Sequence, residues 1–187
     1  MHLLAITPGR GFHPEAWARV LEAGVDGFLI REPAMEARSL LQAARWCRER
    51  APEVELWVRG RLDVALAVGA GLHGPERYPP VPAGLARLSR PLHAAEAAEA
   101  RRDAAQLLVS PVYPSPGKGP PWGVVRLHAF LDAFEAPGPR LLALGGVEAT
   151  NAAALRHPRL DGVAVIRALW DAPDPAVAAA ALRAAWA

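Results

Sequence analysis

The sequence predicts a compact (β/α)8 barrel, and three observations lead to this fold class. Short apolar runs alternate eight times with segments of helical spacing, which is typical of βα units around a parallel sheet. A doubly wound open sheet usually has only about five or six strands and opens its first helix with a G-x-G-x-x-G motif, and no such motif opens the first predicted helix here. The 187 residues, 52% of them apolar, can bury one sizeable core. Residues 1–187 are therefore interpreted as one domain, with short loops because the chain is short for this fold.

Each predicted strand is an apolar run that ends at a polar residue, a glycine or a proline. In chain order the predicted strands are residues 3–7, 27–31, 55–59, 71–73, 86–92, 106–112, 140–145 and 162–167.

The segments between the strands carry apolar residues at helical spacing. They predict helices at residues 14–23, 35–50, 62–68, 94–102, 123–134, 149–156 and 175–186. The connection at residues 79–84 is predicted to be a short helix or none, and the Pro/Gly-rich segment 111–121 is predicted to be a βα loop.

Composition and charge exclude several classes of function. The net charge is only +2 and the arginines are scattered among acidic residues, which argues against nucleic acid as the partner. No apolar run of about 18 residues and no secretory signal is present, so the sequence predicts neither a membrane span nor export. Cys47 is the only cysteine, which rules out an intramolecular disulfide and favours a cytoplasmic protein.

The ends of strands seven and eight predict a phosphate site. Barrels of this class often hold phosphate on backbone N–H groups of these two loops. Gly145 and Gly146 end strand seven, and Ile166 and Arg167 end strand eight. Glycine lets a phosphate approach the backbone closely, and arginine adds charge-assisted contacts. The alternative is that the glycine pair only makes a tight turn.

Other polar residues at strand ends predict the rest of the site. Ser110 opens a Pro/Gly-rich loop after strand six that contains Lys118, the only lysine of the chain, and this loop could fold a cation over a phosphate.

Candidates for acid/base chemistry also stand at strand ends. His93 follows strand five and can exchange protons near neutral pH, although a helix cap or a surface histidine is the alternative. Arg31 and Glu32 end strand two, and His73 ends strand four as a second candidate. The usual transition-metal motifs are absent, so the sequence predicts no metal site.

These residues, taken in order, resemble motifs of the thiamine phosphate synthase/TenI family of barrels along nearly the whole chain. Residues 30–32 are similar to the family's Q-[LI]-R-E-K, and residues 61–70 are similar to its N-D-R-x-D-[VI]-A-x-x-x-G-A. Residues 110–118 are similar to its G-P-[VI]-[FY]-x-T-x-[ST]-K, residues 144–147 to its I-G-G-I, and residues 162–166 to its strand eight.

The chain departs from the synthase branch of that family at the metal site. The resemblance implies that a synthase holds Mg²⁺ and a pyrimidine pyrophosphate with the Asp of N-D-R and with a second Asp after strand four. Here Arg59 and Gly60 replace the Asn-Asp pair, and residues 73–77, with Glu76, replace the second motif. Magnesium needs carboxylates together with substrate phosphates, so this branch is disfavoured. Leu29 and Pro33 also replace the family's Gln and Lys.

The remaining matches resemble the half of the site that holds a thiazole phosphate. They are Lys118, Gly145, Gly146, Ile166 and Arg167, the last in place of the family's Ser. The resemblance to TenI-type members implies a thiazole tautomerase that binds a small phosphorylated thiazole without metal or redox cofactor, with His93 as acid/base and a homodimer as the assembly. Glu32 is predicted to share the work, either as a second proton carrier or as an orienting partner. Two rivals stay open: an Mg²⁺-dependent thiamine phosphate synthase, and a non-catalytic phosphate-binding regulator.

Overall fold

A computed structural model describes residues 1–75, 85, 87–135 and 137–187. Its strands are all parallel and pair in chain order into a closed barrel, which confirms the predicted (β/α)8 fold class. The strands are β1 (His2–Ile6), β2 (Gly27–Ile30), β3 (Glu55–Arg59), β4 (Gly71–His73), β5 (Leu88–Leu92), β6 (Gln106–Val109), β7 (Arg140–Leu144) and β8 (Gly162–Val165).

The helices surround the barrel and cover its outer face. They are α1 (Pro14–Leu21), α2 (Ala37–Arg50), α3 (Leu62–Ala67), α4 (Gly123–Ala133), α5 (Ala149–Ala152), α6 (Arg167–Trp170) and α7 (Pro175–Trp186), with 3-10 turns at Ala95–Ala97, Glu99–Arg101 and Ala153–Leu155. The main core lies between strands and helices, where Trp17 of α1 packs against Phe28 of β2. None of the helices in the described part of the chain is long and apolar enough to cross a membrane.

A second, smaller core fills the barrel itself. Its buried members are Leu4, Ile6, Leu29, Trp57, Leu108, Leu142 and Ala164. Trp57 occupies the space beside Gly71, where an added Cβ would lie 2.3 Å from the indole ring. Because side chains alternate along a strand, the residues two positions beyond this layer also face inward, at the carboxyl end of the barrel.

The opposite end of the barrel is closed by an ionic cluster. Glu55 pairs with Arg87 and with Arg140, each at 2.6 Å, and lies 3.7 Å from His2. Burial alone would raise the pKa of Glu55, but the hydrogen bond and charge of Arg140, with the charge of Arg87, outweigh it and lower that pKa. These charges are already paired, so the open end at the strand termini is where a ligand can enter.

Three predicted strand ends were wrong by two or three residues, and the others lie within one residue of the observed ends. Strand six ends at Val109 instead of residue 112, because the proline at 111 has no N–H for the ladder, and the amide of Val112 donates to Leu144 instead. Strand eight ends at Val165 instead of residue 167, since the Ile166 carbonyl accepts amides from the turn of α6. Strand five begins at Leu88, and residue 86, its predicted start, lies outside the described residues.

The helix predictions were less accurate after strand five. The predicted helix 94–102 is replaced by two 3-10 turns, which begin without a side-chain cap. In this segment the amides of Ala97, Ala98 and Arg101 donate to carbonyls three residues earlier, which is the 3-10 hydrogen-bond pattern. The predicted helix 149–156 is one α-helical turn followed by a 3-10 turn, α6 was not predicted, and the connection 79–84 lies outside the described residues. The other helices begin and end within about two residues of the prediction.

Candidate functional site

The carboxyl ends of the strands surround a cavity of about 610 Å³. Its walls are the last inward-facing residues of the strands and the loops that follow them. Barrels of this class place their ligands at this end, and the volume is in the range of sites that bind small molecules.

Eight of the nine site residues predicted from the sequence line this cavity. They are Arg31, His93, Ser110, Lys118, Gly145, Gly146, Ile166 and Arg167. His73, the second histidine candidate, also lines it. Sequence reasoning did not include Arg10 or Ser115, which come from loops, or Arg59 among the site residues. Arg59 could have been found, because it stands two positions after the inward-facing Trp57.

Glu32 is the predicted site residue that lies outside this cavity. Its side chain is buried, and its two carboxylate oxygens accept hydrogen bonds from the amides of Gly9 at 3.1 Å and Gly11 at 2.7 Å. These bonds hold the β1–α1 loop that carries Arg10 to the cavity rim. The geometry therefore gives Glu32 a positioning role.

His93 stands at the mouth of the cavity with a defined tautomer. Its Nδ1 lies 2.8 Å from the carbonyl oxygen of Ser110, and a carbonyl oxygen can only accept, so Nδ1 carries the proton in the neutral ring. The backbone of His93 is held in turn by the indole N–H of Trp122, which donates to its carbonyl at 3.1 Å. Nε2 has no hydrogen-bond partner among the described residues and is left as the proton-accepting nitrogen.

His73 forms the inner end of a buried hydrogen-bond chain. Its Nδ1 lies 2.9 Å from the hydroxyl of Ser89, which also accepts from the Gln106 side-chain amide at 3.1 Å. When the Ser89 hydroxyl donates its proton to Nδ1, the ring proton of His73 lies on Nε2. Burial, followed by the positive charges of Arg59 and Arg31, lowers the pKa of His73 to about 3. At neutral pH this ring is an uncharged hydrogen-bond donor.

The glycine pair after β7 is fixed by close packing. Gly145 and Gly146 have φ angles of 103° and 66°, and Cβ atoms added to them would lie 2.9 Å from Pro111 and 2.7 Å from Tyr113. The pair therefore makes the tight turn that was the alternative interpretation. The turn also leaves the amide of Gly146 without an acceptor among the described residues, so it can serve an anion.

Positive charge dominates the described part of the cavity wall. Its cations are Arg10, Arg31, Arg59, Lys118 and Arg167, and its one carboxylate is Glu148. Arg10 is paired with Asp171 at 2.9 Å, whereas the other four cations form no ion pair with a described carboxylate. Such a wall attracts a ligand that carries negative charge.

A comparison with protein families decides which proteins share this arrangement. The model of the TMP-TENI family, described as thiamine monophosphate synthase, matches residues 3–169. The chain belongs to the TMP-TENI family. It is 33% identical over 180 residues to a thiamine-phosphate synthase of Albidiferax ferrireducens, covering 89% of this chain and 81% of that protein. It is 36% identical over 185 residues to one of Moorella thermoacetica, covering 87% and 83%.

Solved structures share the fold of this TMP-TENI chain. A thiamine phosphate pyrophosphorylase from Pyrococcus furiosus superposes with a TM-score of 0.85 at 24% identity, over 98% of this chain and 94% of that one. A 3-hexulose-6-phosphate synthase superposes with a TM-score of 0.73 at 20% identity, over 100% of both chains.

The described residues of this TMP-TENI member do not fit a magnesium ion. Gly60 has no side chain to offer a ligand, and the preceding Arg59 places a cation at the cavity wall. No cluster of three His, Cys, Asp or Glu side chains suited to a metal occurs within residues 1–75, 85, 87–135 and 137–187. Glu76, the carboxylate in the second replaced motif, lies outside these residues. Magnesium requires several hard oxygen ligands, which the described wall does not supply.

Proposed function

We propose that this TMP-TENI member is a thiazole tautomerase that isomerises a thiazole carboxylate phosphate without a divalent metal. The observation that carries the proposal is the chemistry of the cavity wall: a histidine with a free proton-accepting nitrogen faces a cavity whose described wall carries five cations and one carboxylate. The family supports a small phosphorylated substrate, and the donor set supports binding of its charge by arginine and lysine.

The proposed reaction moves a proton from one ring position of the thiazole to another. Nε2 of His93 accepts the first proton, and the resulting imidazolium keeps its hydrogen bond from Nδ1 to the Ser110 carbonyl. The same nitrogen then returns a proton to the second position, so the atoms balance without a cofactor. The phosphate is proposed to lie on the amide of Gly146 with Arg167 and Lys118 beside it, which fixes the ring near His93.

Thiamine-phosphate synthase is the second candidate function. The names of the relatives from Albidiferax ferrireducens and Moorella thermoacetica favour it directly. The replaced metal ligands favour the tautomerase. The two candidates differ in reaction class, since the synthase is a transferase that joins two substrates and the tautomerase converts one.

The proposed function is tested by His93→Gln, which keeps a polar group but cannot shuttle a proton. We expect kcat for tautomerisation to fall by about two orders of magnitude or more, while affinity for the product stays within roughly tenfold. The measurement is a progress curve for aromatisation by ultraviolet absorbance, with product affinity from calorimetry.

His157→Gln is the matched control, because His157 is a half-buried histidine that pairs with Asp132 and does not line the cavity. It should turn over like the wild type. Wild-type turnover in His93→Gln would remove His93 from the mechanism.

A further inference from the structure

Three polar residues form one row at the carboxyl ends of neighbouring strands. In the β2–β3 register Ile30 pairs with Val58, so the next residues, Arg31 and Arg59, stand side by side. Arg59 is in turn the register partner of His73 on β4. All three line the cavity.

The two guanidinium groups of this row are not neutralised by the protein. Neither forms an ion pair with a carboxylate in the part of the chain that the structure describes. Burial and then the charge of Arg31 lower the pKa of Arg59, which agrees with two like charges held close together. Like charges placed side by side repel each other, and an anion between them removes that cost.

The row also lies across the barrel from the proposed phosphate site. In a closed barrel of eight strands joined in order, β3 stands opposite β7 and β4 stands opposite β8. Gly146 follows β7 and Arg167 follows β8, so the cavity has cationic or amide donors at two opposite sides.

We propose that Arg31 and Arg59, with the Nε2–H of His73, form a second anion subsite that binds a carboxylate without a divalent metal. This inference rests on the proposed function for its ligand, since it assigns the ring carboxylate of the thiazole to this row and the phosphate to the opposite wall. The positive charge of Arg59 then attracts the carboxylate at a place where the described residues cannot hold a magnesium ion. A guanidinium offers paired N–H donors that match the two oxygens of a carboxylate.

The test compares two probes that differ only in the carboxylate: the aromatic thiazole phosphate, and the same compound with its ring carboxylate. Calorimetry with the full-length protein in EDTA should show that the carboxylate strengthens binding by about tenfold or more. Arg59→Gln should remove most of this gain and leave affinity for the carboxylate-free probe nearly unchanged. Arg59→Lys, which keeps the charge, should restore part of the gain.

Arg38→Gln, on the exposed face of α2, is the matched control and should bind both probes like the wild type. Equal affinity of the wild-type protein for the two probes, or a carboxylate gain that requires added Mg²⁺, would overturn the subsite. Full retention of the gain in Arg59→Gln would overturn it as well. If the Arg59-dependent gain is present but no turnover occurs, the subsite stands and the tautomerase proposal fails. If turnover occurs without the gain, the tautomerase proposal stands and the subsite fails.

Discussion

Two histidines of the cavity wall show how local surroundings divide one residue type into two roles. His93 is exposed, and its Nδ1 proton is held by the Ser110 carbonyl, so Nε2 is free to accept a proton. His73 is hydrogen-bonded to Ser89, and its burial, followed by the charges of Arg59 and Arg31, lowers its pKa and keeps the ring uncharged. The exposed ring suits proton transfer, and the buried ring suits a fixed hydrogen bond.

The buried ring has a consequence for stability that can be measured. The pKa of His73 is about 3 in the folded protein, below its ordinary value of 6.5, so the unfolded chain binds a proton more readily as the pH falls. His73 therefore supports folding above about pH 6.5 and loses that contribution as the pH falls toward 3. His73→Asn removes the titrating ring and with it this pH dependence. Between pH 6 and 4 the unfolding free energy of the wild type should therefore fall, relative to that of His73→Asn, by about 1.4 kcal/mol for each pH unit.

Urea unfolding of both proteins at several pH values measures this difference. Other groups with lowered pKa values, among them His2, Asp26 and Glu55, are common to both proteins and cancel. A difference that stays constant across the range would show that His73 titrates normally in the folded state.

At the scale of elements, the loops after the strands are held by specific bonds from neighbouring loops. The β6–α4 loop is tied to the turn after β7, since Tyr113 donates its amide to Gly145 and its hydroxyl to the carbonyl of Asn151 at 3.0 Å. The β1–α1 loop is tied by the carboxylate of Glu32. The cavity rim is thus shaped by contacts between elements that are distant in the chain.

The Glu32 contact yields a test of positioning against proton transfer. Glu32→Gln keeps one oxygen but turns an amide N–H₂ toward the N–H of Gly9 or Gly11, so one hydrogen bond to a charged acceptor is lost. We expect the free energy of unfolding to fall by about 1.5–3 kcal/mol, with the pH profile of kcat unchanged in shape. Glu53→Gln, at an exposed turn, is the control. A pH profile that loses one limb in Glu32→Gln would instead place this carboxylate in proton transfer.

These elements also mark where sequence reasoning succeeds and where it stops. The alternation of apolar runs and helical segments predicted every strand of the barrel, because burial on both faces leaves a strong signal. The short helix at Arg167–Trp170 was missed because four residues are too few to show the apolar spacing of a helix. The Ser89–Gln106 contact was missed because it depends on the register between β5 and β6, which brings together residues 17 positions apart.

At the scale of the whole molecule, the barrel separates structural charge from functional charge. The amino-terminal end pairs its charges around Glu55, while four cations at the carboxyl end have no described carboxylate partner. The sequence motifs predicted which strand ends would face the cavity. They could not predict that Arg59 stands beside Arg31, since that requires the register of the closed sheet.

The central claim, a metal-independent tautomerase, is tested most directly by assaying both reactions on one preparation of the wild-type protein. One arm follows aromatisation of the thiazole carboxylate phosphate tautomer with excess EDTA and with Mg²⁺. The other arm supplies hydroxymethylpyrimidine pyrophosphate and thiazole phosphate with Mg²⁺ and measures thiamine phosphate. We predict equal tautomerisation with EDTA and with Mg²⁺, and no thiamine phosphate above the protein-free background, because Gly60 offers magnesium no carboxylate. Robust Mg²⁺-dependent formation of thiamine phosphate, without tautomerisation, would contradict the claim and establish the synthase.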